Sequence, residues 1–100
     1  MIKFFFMVGI ALLVFYPATA PAQVTNDVSK ITCKQFLIDQ VAPTKSIVLW
    51  LSGYYNGRKA NTVIDVGTLR GNANKVSDYC RMHLDEMVMK AVEITLGVSK

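Results

Sequence analysis

Cys33 and Cys80 are the only cysteines in the sequence, and they constrain the fold more than any other feature. If the chain is exported, the oxidising compartment favours a disulfide, and two cysteines allow a single intramolecular pairing. Closing a loop of about 47 residues removes enough denatured-state entropy to stabilise a domain by roughly 4 kcal/mol. A small chain with this link can fold around a core that is otherwise marginal.

The first 22 residues have the three regions of a secretory signal peptide. Lys3 precedes an apolar run over residues 4–15, and Ala20-Pro21-Ala22 provides a small-x-small cleavage site. The run of about 12 residues is shorter than the roughly 20 that a spanning helix needs, so a membrane anchor is the weaker interpretation. Cleavage would leave one mature domain, residues 23–100, for which we expect no membrane span.

The charge of the mature domain is mild. Ten basic residues against seven acidic ones give about +3 at neutral pH. The basic residues are scattered, and their longest run is Arg58-Lys59. A nucleic-acid surface needs a basic cluster interleaved with aromatic residues, so we expect no nucleic-acid partner.

Helix start and stop signals open the mature domain. Thr32 and Gln35 have the spacing of a capping box, which predicts a short helix beginning at Cys33. Pro43 ends that helix and is acceptable at the start of the next one, predicted over residues 44–55. We therefore expect a short first helix followed by a longer second one.

The second predicted helix contains the only tryptophan. On a helical wheel, the core-facing arc is formed by Ile47, Val48, Trp50, Leu51, Tyr54 and Tyr55. Leu49 projects from the other side, where water is expected. Asn56-Gly57 predicts a left-handed end to the helix.

Residues 60–71 are predicted to form an extended connection. The sequence around Ile64 and Val66 alternates like a short strand, and Gly67 and Gly71 interrupt any helix. We expect this connection to bury Ile64 and Val66 in the core.

Two further helices are predicted, over residues 72–82 and residues 85–96. The third has one apolar face, whereas the fourth is apolar over most of its surface and needs more than one neighbour. Gly97 is expected to end the fourth. The predicted fold is all-α: a small orthogonal bundle of four helices, with a short first helix, stapled by one disulfide.

The second and fourth helices carry more apolar surface than one small core requires. Either the bundle covers them on all sides, or they build a subunit interface or a surface for client proteins. The candidate interface residues are Ile47, Val48, Leu49, Trp50, Leu51, Tyr54, Met89, Val92 and Leu96. Leu49→Asp is predicted to weaken self-association or client binding at little cost to folding.

The sequence favours a binding protein over an enzyme. His83 is the only histidine, so a nucleophile would lack the usual base. One cysteine near His83 supplies too few ligands for a metal, and the glycines match no phosphate-binding loop. We expect no catalytic residue, cofactor or metal.

Three segments carry a family resemblance. They are Ile31-Thr32-Cys33-Lys34-Gln35-Phe36, Trp50-Leu51-Ser52-Gly53-Tyr54-Tyr55-Asn56-Gly57 and Val76-Ser77-Asp78-Tyr79-Cys80. With the predicted signal peptide and the C-terminal helix, this pattern resembles the HdeA/HdeB family of periplasmic acid-stress chaperones. The resemblance covers about residues 31–92, nearly the whole mature domain.

The resemblance implies a helical periplasmic protein with a Cys33–Cys80 disulfide. It implies a homodimer near neutral pH that loosens in acid and then binds unfolded periplasmic proteins without ATP. It also implies that the segment from Ile47 to Leu51 belongs to the dimer interface and to the client surface. The alternative is a constitutive interaction module, or an inhibitor, that uses the same surface on one envelope partner.

Overall fold

The computed structural model describes residues 24–99, which form four α-helices and one 3-10 turn and contain no strand. The 3-10 turn is Val28–Lys30, and the helices are α1 (Cys33–Leu37), α2 (Thr44–Arg58), α3 (Val66–Met82) and α4 (Val88–Leu96). The all-α prediction with a short first helix is confirmed. The predicted signal peptide, residues 1–22, lies outside the described residues. None of the helices within residues 24–99 combines the length and hydrophobicity needed to cross a membrane.

The capping box at the start of α1 is present as predicted. The Gln35 backbone N–H donates to Thr32 Oγ1 at 3.1 Å, and the Thr32 N–H donates to Gln35 Oε1 at 3.0 Å. Two amides that the helix itself cannot satisfy therefore have partners. Upstream, residues 28–30 form the 3-10 turn, which Asp27 caps and which buries Val28.

One end of the molecule is joined covalently and through the backbone. The Cys33–Cys80 disulfide links α1 to α3, with the two Cα atoms 5.0 Å apart and both residues fully buried. The Cys33 N–H also donates to the Glu86 carbonyl at 2.7 Å, and the Val88 N–H donates to the Ile31 carbonyl at 2.8 Å. This pairing keeps the segment before α4 out of a helix, so α4 begins at Val88 rather than at residue 85.

The core is shared by all four helices and the 3-10 turn. Phe36 and Val88 are the largest side chains that are fully buried. Helices α3 and α4 make the most extensive contact, and α4 also contacts α1 and the 3-10 turn. The prediction that α4 needs several neighbours is therefore confirmed, and Gly97 ends it in the left-handed conformation at φ 64°.

Helix α2 extends further than the sequence predicted. It runs through Asn56 and Gly57 to Arg58, so the predicted left-handed stop at Asn56-Gly57 is wrong. The chain reverses later, at Ala60, whose φ is 54°. Backbone N–H groups after the helix return to the Asn56 and Gly57 carbonyls, which satisfies the helix end without a left-handed glycine.

The predicted position of Trp50 is also wrong, since its side chain is 45% exposed. The buried side of α2 centres on Ile47, Leu51 and Tyr55, and Trp50 lies at the edge of that arc. Its indole stacks on Tyr54 instead, with ring centroids 5.1 Å apart.

The extended connection predicted over residues 60–71 is wrong from residue 66 onward. Helix α3 begins at Val66, because the Asp65 carboxylate accepts a hydrogen bond from the Thr68 N–H at 2.8 Å and caps the helix. Ile64 is 69% exposed and Val66 62% exposed, so neither enters the core. Gly67 and Gly71 lie within the helix despite a propensity cost of about 1 kcal/mol each.

Candidate functional site

Two apolar surfaces lie beside residues 59–65, the segment that joins α2 to α3. The first is a shallow depression of about 230 Å³, whose lining combines polar residues such as Ser52 and Thr62 with the apolar residues Leu49, Val63, Ile64 and Leu69. We call these four apolar residues the outer patch. Leu49 is 47% exposed and Val63 73% exposed, which is far more than a core position allows.

Asparagine side chains hold Val63 and Ile64 away from the core. The Asn61 N–H donates to the Asn56 carbonyl at 2.9 Å, and the Asn61 side-chain amide donates to Asn56 Oδ1 at 3.1 Å. Asn61 Oδ1 then accepts from the Val63 N–H at 3.1 Å. The turn that follows α2 is therefore built by local hydrogen bonds, and it leaves the apolar side chains outside.

The second surface is a cleft of about 390 Å³ between α2, α3 and α4, which we call the inner cleft. Buried residues at its floor are Phe36, Leu51, Tyr55, Val76 and Val92. Half-buried apolar residues at its walls are Val48, Leu69, Ala73, Leu96 and Val98. The segment from Asn61 to Asp65 also lines it, so Val63, Ile64 and Leu69 border both surfaces.

An aromatic ladder follows the edge of α2. Trp50 and Tyr54 stack with an interplanar angle of 11°. The Arg58 guanidinium lies 5.6 Å from the Tyr54 ring centroid and donates to the Tyr54 hydroxyl at 3.2 Å. These side chains follow one another at intervals of four residues, which places them on one face of the helix.

Tyr55 connects α2 to α4 from inside the bundle. Its hydroxyl lies 3.1 Å from Glu93 Oε2 and 3.3 Å from the Met89 carbonyl. Burial, together with the hydrogen bond to Glu93, raises the pKa of Tyr55 to about 12. The hydroxyl therefore remains a donor through neutral and acidic pH.

Two capping carboxyl groups are held below their ordinary pKa. Hydrogen bonds from the Ser29 hydroxyl and N–H lower the pKa of Asp27, and the Thr68 N–H lowers the pKa of Asp65. Each hydrogen bond favours the ionised carboxylate. Both groups therefore stabilise their local turn while charged.

No group of three or more His, Cys, Asp or Glu side chains within residues 24–99 could hold a metal ion. His83 is exposed at the end of α3, where Nδ1 lies 2.9 Å from the Tyr79 carbonyl and the ring stacks on Tyr79. The imidazole is thus a helix-end group, as the sequence indicates.

The structure distributes the nine candidate interface residues over three environments. Ile47, Leu51 and Val92 are buried in the core, Val48, Tyr54, Met89 and Leu96 are half-buried, and Leu49 and Trp50 are exposed. Leu49 contributes to the outer patch, while Val48, Leu51, Val92 and Leu96 line the inner cleft. In the folded chain, Leu49 and Trp50 are the candidates most accessible to a partner.

Sequence reasoning missed Val63, Ile64 and Leu69 as surface residues. The signal that could have identified them is Asp65 followed three residues later by Thr68, a helix-capping spacing that starts α3 early. An early helix start leaves too few residues after α2 for the chain to reach the core and return.

Comparison with known proteins identifies one family. The family model described as the HdeA/HdeB family matches residues 4–90 of the chain. Comparisons with curated proteins and with solved structures found no match.

Proposed function

Because this chain belongs to the HdeA/HdeB family, which is known for acid-stress periplasmic chaperones, we propose that it is an ATP-independent periplasmic chaperone. In this role it binds acid-unfolded proteins and limits their aggregation. The observation that carries the proposal is the outer patch, where Leu49, Val63 and Ile64 expose large apolar side chains next to one another. Exposed apolar clusters of this kind mark interaction surfaces.

The outer patch has the composition expected of a surface for varied clients. It is apolar and shallow, and Val63 and Ile64 stand on a turn rather than inside a helix. The nearby Trp50 adds an aromatic side chain of the type favoured as a binding anchor. The asparagines beside the patch are engaged in local hydrogen bonds, so a client would be selected for apolar character rather than for one sequence.

Acid changes the charge of the chain strongly. Below about pH 3 the seven carboxyl groups are largely neutral, and ten basic residues plus His83 give about +11 per mature chain, against about +3 at neutral pH. The proposal includes a homodimer near neutral pH in which two copies cover each other's outer patch, and the positive charge gained in acid drives these copies apart. Acid then exposes the surface that clients bind.

Acid also weakens the helix cap beside the outer patch. The folded pKa of Asp65 is lowered, so its contribution to stability is present above the unfolded value near 4 and is lost as the pH falls through the folded value. Asp65 is the cap of α3 and directly follows Ile64. Loss of the cap is expected to fray the first turn of α3 and to free more apolar surface around Val66.

The disulfide limits how far this opening can proceed. Cys33 and Cys80 join the start of α1 to the last turn of α3, and the backbone pairing of Cys33 with Glu86 adds α4 to the same unit. Helix α2 and residues 59–65 lie outside that stapled end. The proposed chaperone therefore opens locally in acid and remains partly compact.

An acid aggregation assay tests the proposal. Several unrelated periplasmic proteins are brought to pH 2–3 with and without the disulfide-bonded protein, and light scattering follows their aggregation. We expect the oxidised protein to keep several clients soluble and the reduced protein to lose this activity. Protection of none of them contradicts the proposal, and capture of one specific partner at neutral pH would instead support the interaction module or inhibitor.

The proposed dimer has its own test. Light scattering and binding of a hydrophobic dye are followed from pH 7 to pH 2. The expected result is a particle of two chains at neutral pH that becomes smaller and binds dye in acid. A particle of constant size that binds no dye contradicts the acid switch.

A further inference from the structure

The geometry of the inner cleft points to a ligand site: we infer that it binds a single-chain anionic amphiphile, such as a long-chain fatty acid. The alkyl chain lies in the cleft, and the anionic head lies at the rim against a lysine. This inference does not depend on the chaperone proposal, because its test residues, Lys59, Ala73 and Lys75, line the cleft and not the outer patch.

The size and floor of the cleft fit an alkyl chain. Its volume of about 390 Å³ lies within the roughly 300–1,000 Å³ typical of small-molecule sites. Among the buried floor residues the only polar side-chain group is the Tyr55 hydroxyl, which is already bonded to Met89 and Glu93. A ligand with polar groups along its length would lose their hydration without replacement. The buried part of the ligand is therefore apolar.

Most polar groups at the rim are already engaged. The Asn56 amide donates to the Ser52 carbonyl at 2.8 Å, and the Thr95 hydroxyl donates to the Ala91 carbonyl at 2.8 Å. Asp65, the acidic residue of the rim, accepts from the Thr68 N–H as the cap of α3. These groups have little capacity left for a ligand.

The charged rim groups that remain available are positive. Lys59 and Lys75 both line the cleft, and within residues 24–99 neither ammonium group has an ion pair or a hydrogen bond. Two unpaired lysines against one engaged aspartate favour an anion at the mouth of an apolar cavity. A fatty acid meets both conditions with a single chain and a single charge.

The test compares three amphiphiles that share a chain length and differ in charge. Dodecanoate, dodecanol and dodecylammonium are titrated below their micelle concentrations into the disulfide-bonded protein at pH 7.5. Amide chemical shifts locate the site, and calorimetry gives the affinity. We expect saturable shifts at cleft residues such as Val76 and Thr95, with dodecanoate binding about tenfold more tightly than dodecanol and dodecylammonium binding least.

Variants separate the contribution of the rim charges to binding from the contribution of the apolar cavity. The double variant Lys59→Gln/Lys75→Gln is expected to reduce dodecanoate binding about tenfold and to leave dodecanol binding unchanged. The matched control is Lys90→Gln, an exposed lysine of α4 that does not line the cleft. Ala73→Phe fills the cleft and is expected to abolish binding of both ligands. Circular dichroism verifies that each variant keeps its helices.

Several outcomes would overturn the inference. One is equal affinity for the three amphiphiles. Another is the same loss of dodecanoate affinity in Lys90→Gln as in the double variant, and a third is amide chemical-shift changes confined to Leu49 and its neighbours. Retention of dodecanoate binding by a folded Ala73→Phe protein would do so as well. None of these results bears on client protection by the outer patch, so failure here leaves the chaperone proposal standing.

Discussion

The Tyr55 hydroxyl on α2 lies 3.1 Å from Glu93 Oε2 on α4, and the same hydroxyl lies 3.3 Å from the Met89 carbonyl. Helix α2 is outside the disulfide-stapled end of the molecule, and the Thr44 hydroxyl at its start donates to the Phe36 carbonyl at 3.2 Å. Tyr55 therefore helps to hold the second half of α2 against the remainder of the bundle.

Tyr55→Phe is expected to lower the free energy of unfolding by about 1–2 kcal/mol, because a hydrogen bond to a charged group is lost and the Met89 carbonyl loses a donor. Urea unfolding at neutral pH measures the change. The control is Tyr54→Phe, whose hydroxyl meets Arg58 at the surface and should cost less than about 0.5 kcal/mol. Equal losses in the two variants would show that Tyr55 does not anchor α2.

Removal of the disulfide is expected to be the most damaging change. The double variant Cys33→Ser/Cys80→Ser opens a loop whose ends are 47 residues apart in the sequence. The unfolded state gains conformational entropy, which lowers the free energy of unfolding by up to about 4 kcal/mol. Circular dichroism with urea titration should find the variant largely unfolded at neutral pH. If the free energy of unfolding falls by less than about 1 kcal/mol, the backbone pairing between α1 and the segment before α4 is sufficient to hold this end of the fold together.

Asp65→Asn tests the acid sensitivity of the α3 cap. Asparagine keeps the N-cap hydrogen bond but does not titrate. Because the pKa of Asp65 is lowered in the folded chain, the wild-type protein should lose more stability between pH 6 and pH 3 than the variant does. Thermal midpoints at the two pH values measure this difference.

The control is Asp39→Asn, which makes the same change at an exposed position away from the cap of α3. Its midpoints at the two pH values show the effect of removing a carboxyl group that caps no helix. If Asp65→Asn and wild type lose the same stability on acidification, the cap is not a source of acid sensitivity.

Lysine substitutions test the outer patch as a client surface. A lysine remains charged at pH 2–3, whereas an introduced carboxyl group is neutral there. Leu49→Lys and Ile64→Lys therefore disturb the apolar patch more strongly in acid than Leu49→Asp does. Both are expected to reduce client protection several-fold at little cost to stability, because both side chains are exposed. Leu49→Asp remains the test for self-association at neutral pH.

Met82→Lys is the matched control for the patch variants. Met82 is 80% exposed and lies at the other end of α3, about 24 Å along the helix axis from Val66. Adding a charge there should leave client protection unchanged. An equal loss of protection in all three lysine variants would indicate that net charge, rather than the outer patch, controls activity.

Two glycine-to-alanine changes are expected to have opposite effects. Gly53 lies inside α2, and an added Cβ meets no atom within 4 Å, so Gly53→Ala should stabilise the chain by about 0.5–1 kcal/mol. Gly97 has φ 64° at the end of α4, where Gly97→Ala should destabilise by about 1 kcal/mol. Urea midpoints at low protein concentration measure both changes. Effects of the same sign would contradict the backbone assignment at one of the two sites.

Much of the fold could be predicted where the signal is local. Thr32 and Gln35 mark the start of α1 by their spacing alone, because a capping box involves atoms only three residues apart. The exposure of Leu49 and the end of α4 at Gly97 follow in the same way from helix periodicity and from the conformational freedom of glycine.

The errors concern residues whose environment depends on distant parts of the chain. Ile64 and Val66 have the character of core residues, yet Asn61 and Asp65 build a turn and a cap that keep them outside. The sequence predicts that the fourth helix begins at residue 85, but backbone pairing of the segment before α4 with Cys33 delays the helix to Val88. In both cases hydrogen bonds with specific partners outweighed hydrophobic character.

By itself the sequence determined the four helices of the described residues and the disulfide partners, since these depend on residue identity and on local patterns. Only the tertiary structure decided that Leu49 meets Val63 and Ile64 in one patch, and that α2, α3 and α4 leave a cleft with two unpaired lysines at its rim. These surfaces arise because a small core cannot cover four helices on every side, and the turn after α2 determines which side remains open.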